Sequence, residues 1–84
     1  MTLETLATMT HVTGVKQVTK AVNKGKAVCV FVASDADERV TRSLKELCAN
    51  LGVELVESAT MAELGKACSI DVGSAAAAAL NETR

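Results

Sequence analysis

An unbroken apolar segment, residues 27–33, limits the possible folds of this chain more strongly than any other part of the sequence. It reads Ala-Val-Cys-Val-Phe-Val-Ala and contains no polar side chain. Such a strand is typical of a sheet that helices cover on both faces, because every side chain then meets an apolar neighbour. The segment therefore predicts a central strand of a layered α/β fold.

Helical patterns and turn residues surround this segment. Apolar residues recur at helical spacing in four places, so four helices are predicted. They begin near Thr2, Val15, Asp37 and Thr60, and Thr60 opens a capping box with the glutamate three residues later. Residues 53–56 predict a second strand, and residues 10–13 predict a connection or a short edge strand.

The alanine-rich segment 75–80 is ambiguous, because alanine favours helices by intrinsic propensity. A strand is the better topological prediction, since strands that alternate with helices imply a largely parallel sheet that needs a third member. The whole chain, residues 1–84, is then predicted to be one domain. Its expected architecture is a three-layer α/β/α sandwich around a central mixed, largely parallel sheet.

Positive charge is concentrated in one stretch of the chain. Residues 14–26 contain four lysines and no acid, whereas the remaining residues contain five basic and ten acidic side chains, and the net charge is −1. This asymmetry indicates an anion-binding patch on an otherwise acidic protein. The charge pattern alone is equally compatible with a solvated helix face.

Residues that could support catalysis or bind a metal are scarce. His11 is the only histidine, and no candidate nucleophile adjoins it. The three cysteines are widely spaced and lack metal-ligand spacing, so we expect buried thiols without disulfides. Asp35 and Asp37 are expected to cap a helix rather than to hold a cation. The sequence predicts neither an enzyme nor a cofactor or metal site.

The strongest candidate site is the start of the second helix. A glycine followed directly by a helix offers unpaired backbone N–H groups and the positive end of the helix dipole, both of which attract phosphate. After Gly14, Lys16 and Gln17 lie in the first turn and suit the edge of a base. Lys20 and Lys24 follow one and two turns later and are placed for phosphates. The sequence therefore predicts a nucleic-acid interface on this helix.

Other classes of function fit poorly. With one phenylalanine and no tyrosine or tryptophan, the chain lacks the aromatic platform that stacks the bases of single-stranded RNA. No apolar run approaches the roughly 20 residues of a membrane span, and the first residues lack the basic then apolar layout of a signal peptide. We expect a cytoplasmic, monomeric protein that contacts no membrane.

Three short motifs follow one another along the chain. They are Gly14-Val15-Lys16-Gln17-Val18-Thr19-Lys20-Ala21-Val22-Asn23-Lys24-Gly25, the turn Ala33-Ser34-Asp35-Ala36-Asp37 after the buried strand, and Glu63-Leu64-Gly65-Lys66-Ala67 ahead of Ile70-Asp71-Val72-Gly73. Together they resemble the ribosomal protein L7Ae/L30e superfamily of kink-turn RNA binders, in particular its small bacterial ribosomal-type members. The resemblance spans nearly the whole chain, from about Leu6 to Leu80.

This resemblance implies an α/β/α sandwich and a helix that enters the RNA major groove at a kink, where tandem sheared G·A pairs lie beside a bulge. It implies that Lys16 and Gln17 contact the guanines and that Lys20 holds the backbone. It also implies that residues 70–73 pack against an extruded bulge nucleotide. The expected RNA-binding residues are Gly14, Lys16, Gln17, Lys20, Lys24, Lys66, Ile70, Asp71, Val72 and Gly73.

Departures from the family pattern keep alternatives open. Archaeal and eukaryotic relatives commonly have Asn-Glu in place of Lys16-Gln17, so the hydrogen bonds to the guanines must be rearranged. The superfamily also has an acidic, protein-binding branch. The leading hypothesis is a non-catalytic protein that recognises kink turns in ribosomal or other structured RNA. The alternatives are an acidic protein-interaction module on the same fold and a small enzyme with a cysteine nucleophile.

Overall fold

The computed structural model of the protein describes residues 1–81. Within this range the elements are, in chain order, α1 (Leu3–Thr8), β1 (His11–Thr13), α2 (Val15–Asn23), β2 (Ala27–Val32), α3 (Glu38–Leu51), β3 (Glu54–Val56), α4 (Met61–Ala67) and β4 (Ala76–Leu80). The predicted helices and strands are all present, and residues 11–13 form the short edge strand rather than a connection.

The strands form one mixed sheet in the order β1-β4-β2-β3. β2 pairs with β3 in parallel, as expected, whereas β4 pairs antiparallel with both β1 and β2. The prediction of a mixed sheet is confirmed, but the prediction that it is largely parallel is wrong. The loop after α4 runs back to the start of that helix, where the Ser74 N–H donates to the Met61 carbonyl, so the next strand enters beside the end of β2 and runs against it.

Helices cover both faces of the sheet, which confirms the three-layer sandwich. On one face, Leu6 of α1 and Leu64 of α4 pack with Cys29 and Phe31 of β2. On the other face, residues of α2 and α3 pack with the alternate side chains of β2. The buried residues on this face are Val18 and Val22 from α2, Leu44 and Cys48 from α3, and Val30 and Val32 from β2. β2 is therefore a central strand with apolar neighbours on both sides, as the apolar segment predicts.

Three apolar side chains depart from the expected burial. Val28 is 43% exposed, because the register between β2 and β4 shifts between Ala27 and Cys29 at the start of the strand. Val40 and Leu51 follow the apolar pattern of α3 but are 50% and 55% exposed. Thr41, only 1% exposed, takes a buried position on that helix instead.

The expected helix caps hold the elements in place. The Thr2 side chain accepts a hydrogen bond from the Thr5 N–H at the start of α1, and Asp37 accepts one from the Arg39 N–H at the start of α3. Thr60 begins α4 with a complete capping box. No helix within residues 1–81 is long and apolar enough to cross a membrane.

Candidate nucleic-acid interface

The N-terminal end of α2 lies open at one edge of the sheet. Gly14 precedes the helix with φ +89° and ψ 142°, a backbone conformation that residues other than glycine rarely adopt. Its N–H donates to the Ala76 carbonyl at 2.9 Å, which fixes the start of α2 beside the start of β4. A Cβ added at Gly14 would meet no atom within 4 Å, so the space beside this glycine is open.

The outer surface of α2 is basic and unpaired. Lys16, Gln17, Lys20 and Lys24 are all exposed, while Val18 and its buried neighbours face the core. Among residues 1–81, none of these lysines forms an ion pair or a side-chain hydrogen bond, and the first turn carries no acid. The helix therefore presents four polar side chains together with the positive end of its dipole.

A groove follows this basic surface toward the C-terminal end of α2. It is open to solvent, has a volume of about 150 Å³ and is lined by Gln17, Lys20, Lys24 and Lys26. Val12 of β1 and Leu80 of β4 form an apolar wall. Lys26 was not among the expected contacts, although it belongs to the acid-free basic stretch of the sequence that could have identified it.

The loop at residues 70–73 lies on the same edge of the sheet as Gly14. Ile70 is half-buried, whereas Asp71, Val72 and Gly73 are exposed, and Val72 keeps 71% of its surface in solvent. The loop ends at Ser74, whose hydroxyl donates to the same Ala76 carbonyl that accepts from Gly14, at 2.6 Å. One backbone oxygen therefore joins the loop to the start of α2, and the two predicted contact regions are brought together.

The loop at residues 70–73 packs against Gly65 of α4. A Cβ at Gly65 would collide with the carbonyl oxygen of Val72, and the buried glycine is what permits the loop to lie directly against α4. Gly73 packs against Met61 in the same way, with an added Cβ 3.2 Å from the Met61 Cβ. The motif that contains Gly65 does not reveal this role, because the close approach to Val72 is a tertiary contact.

Lys66 is separated from the predicted contacts on α2, although its carbonyl accepts from the Ser69 N–H just ahead of the loop at residues 70–73. It projects from α4 in the opposite layer of the sandwich from α2. There it lines a different groove, of about 320 Å³, together with Glu4 of α1 and Glu63 of α4. The structure thus places Lys66 among acids instead of beside the lysines of α2.

The two aspartates after β2 act as caps, as expected. Asp37 caps α3, and its carboxylate also receives the Arg39 guanidinium at 2.9 Å, which holds the pKa of Asp37 below its ordinary value. Asp35 caps a different helix, because its Oδ1 accepts from the Met61 N–H at 2.8 Å. Within residues 1–81, no three potential metal ligands come together.

The cysteines are buried and free, as predicted. Burial raises the pKa of the thiols of Cys48 and Cys68, and it raises that of Cys29 to about 11. A catalytic thiol needs the opposite shift, toward the thiolate. The structure therefore disfavours the alternative of an enzyme with a cysteine nucleophile.

The sequence of this chain was compared with those of known protein families. The sequence profile of the Ribosomal protein L7Ae/L30e/S12e/Gadd45 family matches residues 3–84. The chain belongs to this family. The resemblance that its three motifs carry is confirmed, and the fold agrees with that of a solved L7Ae-type structure.

Several relatives of this L7Ae-family chain carry informative names. An RNA-binding protein of Caldanaerobacter subterraneus subsp. tengcongensis is 48% identical over 68 residues, which cover 81% of this chain and 83% of the relative. The large ribosomal subunit protein eL8 of Halobacterium salinarum is 47% identical over 66 residues, which cover 77% of this chain and 55% of that protein. A Giardia lamblia 15.5kD RNA binding protein has a TM-score of 0.85 at 29% identity, covering 95% of this chain and 68% of that chain.

Proposed function

We propose that this protein is a non-catalytic RNA-binding protein that recognises kink turns, with tandem sheared G·A pairs, in ribosomal or other structured RNA. The observation that carries the proposal is the junction at Ala76, where the start of α2 and the loop at residues 70–73 share one carbonyl. This junction presents on one edge an open helix N-terminus, an exposed valine and lysines that form no ion pair within residues 1–81. Relatives named as RNA-binding and ribosomal proteins support RNA binding.

The chemistry of this edge divides between recognition and affinity. Lys16 and Gln17 stand in the first turn, where an amide and an ammonium group can meet the guanine edges of sheared pairs. Lys20 and Lys24 stand further along and neutralise phosphates, which contributes affinity without reading sequence. Regular A-form RNA hides its major-groove edges, so a kink is what opens them to this helix.

The loop supplies an apolar contact that charge cannot provide. Val72 projects from the loop with most of its surface exposed in the free protein. A nucleotide extruded from the bulge would cover this side chain and remove apolar surface from water.

A cytoplasmic location follows from the same proposal, because structured RNA is the partner.

A titration of the protein against two RNAs tests this function. One RNA carries a kink turn with G·A pairs, and the other replaces those pairs by Watson–Crick pairs and stays unkinked. We expect tight binding to the first and only weak, salt-dependent binding to the second. Equal affinity for both RNAs would contradict kink-turn recognition and favour the acidic protein-interaction module.

A further inference from the structure

The groove beside α2 is built around a lysine that does not belong to the helix. After α2 the chain turns back through Gly25, with φ +70°, and Lys26 lines the same groove as Lys20 and Lys24. The backbone of Lys26 is held on both sides: its N–H donates to the Ala21 carbonyl at 3.0 Å, and its own carbonyl accepts from the Asn81 N–H at 2.7 Å. The backbone of Lys26 is therefore held in place in the free protein.

The charge in this groove has no counterpart in the described chain. Lys20, Lys24 and Lys26 form no ion pair among residues 1–81, although all three line a space of about 150 Å³. Like charges brought together repel each other, and this repulsion is relieved when an anion enters between them. The groove thus has the electrostatic character of an anion-binding site.

The extent of the basic surface indicates what kind of anion fits. α2 has 9 residues, so its two ends are about 14 Å apart at 1.5 Å per residue. Lysines follow this length from Lys16 near the start to Lys26 beyond the end. A single phosphate cannot reach across that distance, whereas the backbone of a nucleic-acid strand can follow it.

The walls of the groove indicate that it does not read sequence. Leu80, which pairs with Ala27, is the apolar lining residue beside Lys26. Gln17, a lining side chain with both a donor and an acceptor, belongs to the first turn of α2 at the other end of the helix. The groups that discriminate bases are paired donors and acceptors, which the end beside Lys26 lacks. We therefore expect contacts there with phosphate and sugar.

We infer that Lys26, with Lys20 and Lys24, holds the phosphate backbone of the RNA stem that continues beyond the kink. This inference rests on the proposed function and extends the interface from the start of α2 to the turn after its end. Lys26 acts as a phosphate contact that is independent of the base sequence. Its contribution depends on the length of the stem that the RNA provides.

The experiment compares Lys26→Ala with wild type on two kink-turn RNAs, one with a long stem on the side of the groove and one with that stem cut back to the kink. On the long-stemmed RNA, the slope of log K against log salt should flatten by about 0.7 to 0.9. The advantage of wild type over the variant should shrink about threefold between 50 and 200 mM salt. On the short-stemmed RNA, the two proteins should bind alike.

Two further variants separate the failure of this inference from failure of the proposed function. Arg42→Ala removes an exposed positive charge from α3 outside the groove and should leave both titrations unchanged. Lys20→Ala should weaken binding to both RNAs. If Lys20→Ala weakens binding and Lys26→Ala has no effect on the long-stemmed RNA, the inference about Lys26 is wrong. If neither change weakens binding, the proposed interface on α2 itself is wrong.

Discussion

Replacing Val72 by alanine separates the contact with RNA from the stability of the fold, because the free protein leaves most of this side chain uncovered. The change removes two methyl groups, which are worth about 0.8 kcal/mol each when fully buried. Val72 is 71% exposed, so at most about 1.1 kcal/mol of this apolar burial is still available to a bound nucleotide. We expect Val72→Ala to weaken binding to a kink-turn RNA by up to about sixfold.

The same arithmetic limits the effect on folding. The remaining 29% of the surface is already covered in the free protein, which corresponds to at most about 0.5 kcal/mol of stability. RNA affinity is measured by fluorescence anisotropy with a labelled kink-turn RNA, and stability is measured by urea unfolding of the free protein. The loss in binding free energy should be about twice the loss in unfolding free energy.

A matched control uses Val40, which is 50% exposed on α3 and lies outside the proposed interface. Val40→Ala makes the same chemical change and should leave RNA affinity unaltered. The salt dependence of binding should be equal in Val72→Ala and wild type, since no charge is lost. A large drop in melting temperature with unchanged RNA affinity would assign Val72 to the core and refute the bulge contact.

Gln17→Ala should cost about 1 to 3 kcal/mol against an RNA with G·A pairs while leaving the affinity for an unkinked duplex and the salt slope unchanged. An equal loss on both RNAs would remove Gln17 from base recognition. Gly65→Ala should lower both the melting temperature and RNA affinity, because its Cβ would collide with the Val72 carbonyl and displace the loop. Unchanged values of both would contradict this packing. Asp37→Asn should flatten the decline of stability below about pH 4. The pKa of Asp37 is lower in the folded than in the unfolded protein, so this carboxylate stabilises the fold at pH values above its unfolded-state pKa. That stability is lost as the pH falls through the folded-state pKa. Urea unfolding across that pH range measures the difference, and an unaltered decline would show that Asp37 contributes nothing to it.

The sequence was sufficient for the elements that local patterns specify. The spacing of Val18 and Val22 against the lysines predicts a helix over residues 15–23. In the structure α2 has the same bounds, Val15–Asn23. The capping box at Thr60 and the cap at Asp37 are local hydrogen bonds between near neighbours in the chain. Such features depend on few residues, so they can be predicted without knowledge of the tertiary fold.

The direction of β4 could not be predicted from local patterns. A helix between two strands usually leads to a parallel pair, which is the rule that the prediction used. Here the chain after α4 returns to the start of that helix through the bond from Ser74 to Met61, and this brings β4 in beside the end of β2. The contact of Gly65 with Val72 makes this return possible, and it is not encoded in any short sequence pattern.

The candidate site divides in the same way. The lysines of α2 were predicted because helical spacing places them on one surface, whereas the tertiary structure was needed to place Lys26 in the groove and Lys66 in the opposite layer. Lys26 joins the groove through its backbone bonds to Ala21 and Asn81, which bring together distant parts of the chain. Lys66 is adjacent in sequence to the loop but lies on α4, so the sheet separates it from α2.

The alanines of β4 connect the packing of the fold to the geometry of the site. Ala76 to Ala79 are each 0% exposed, so the strand lies fully buried between helices on both faces despite the helical preference of alanine. A small side chain at Ala76 and Ala78 lets Val18 and Val22 of α2 pack directly over the strand. Larger residues in this filled space would push α2 outward and strain the core. An outward shift of α2 would strain the bond from Gly14 to Ala76, the carbonyl that also joins the start of α2 to the loop at residues 70–73. The small side chains of β4 therefore help to set the distance between the two halves of the proposed RNA interface.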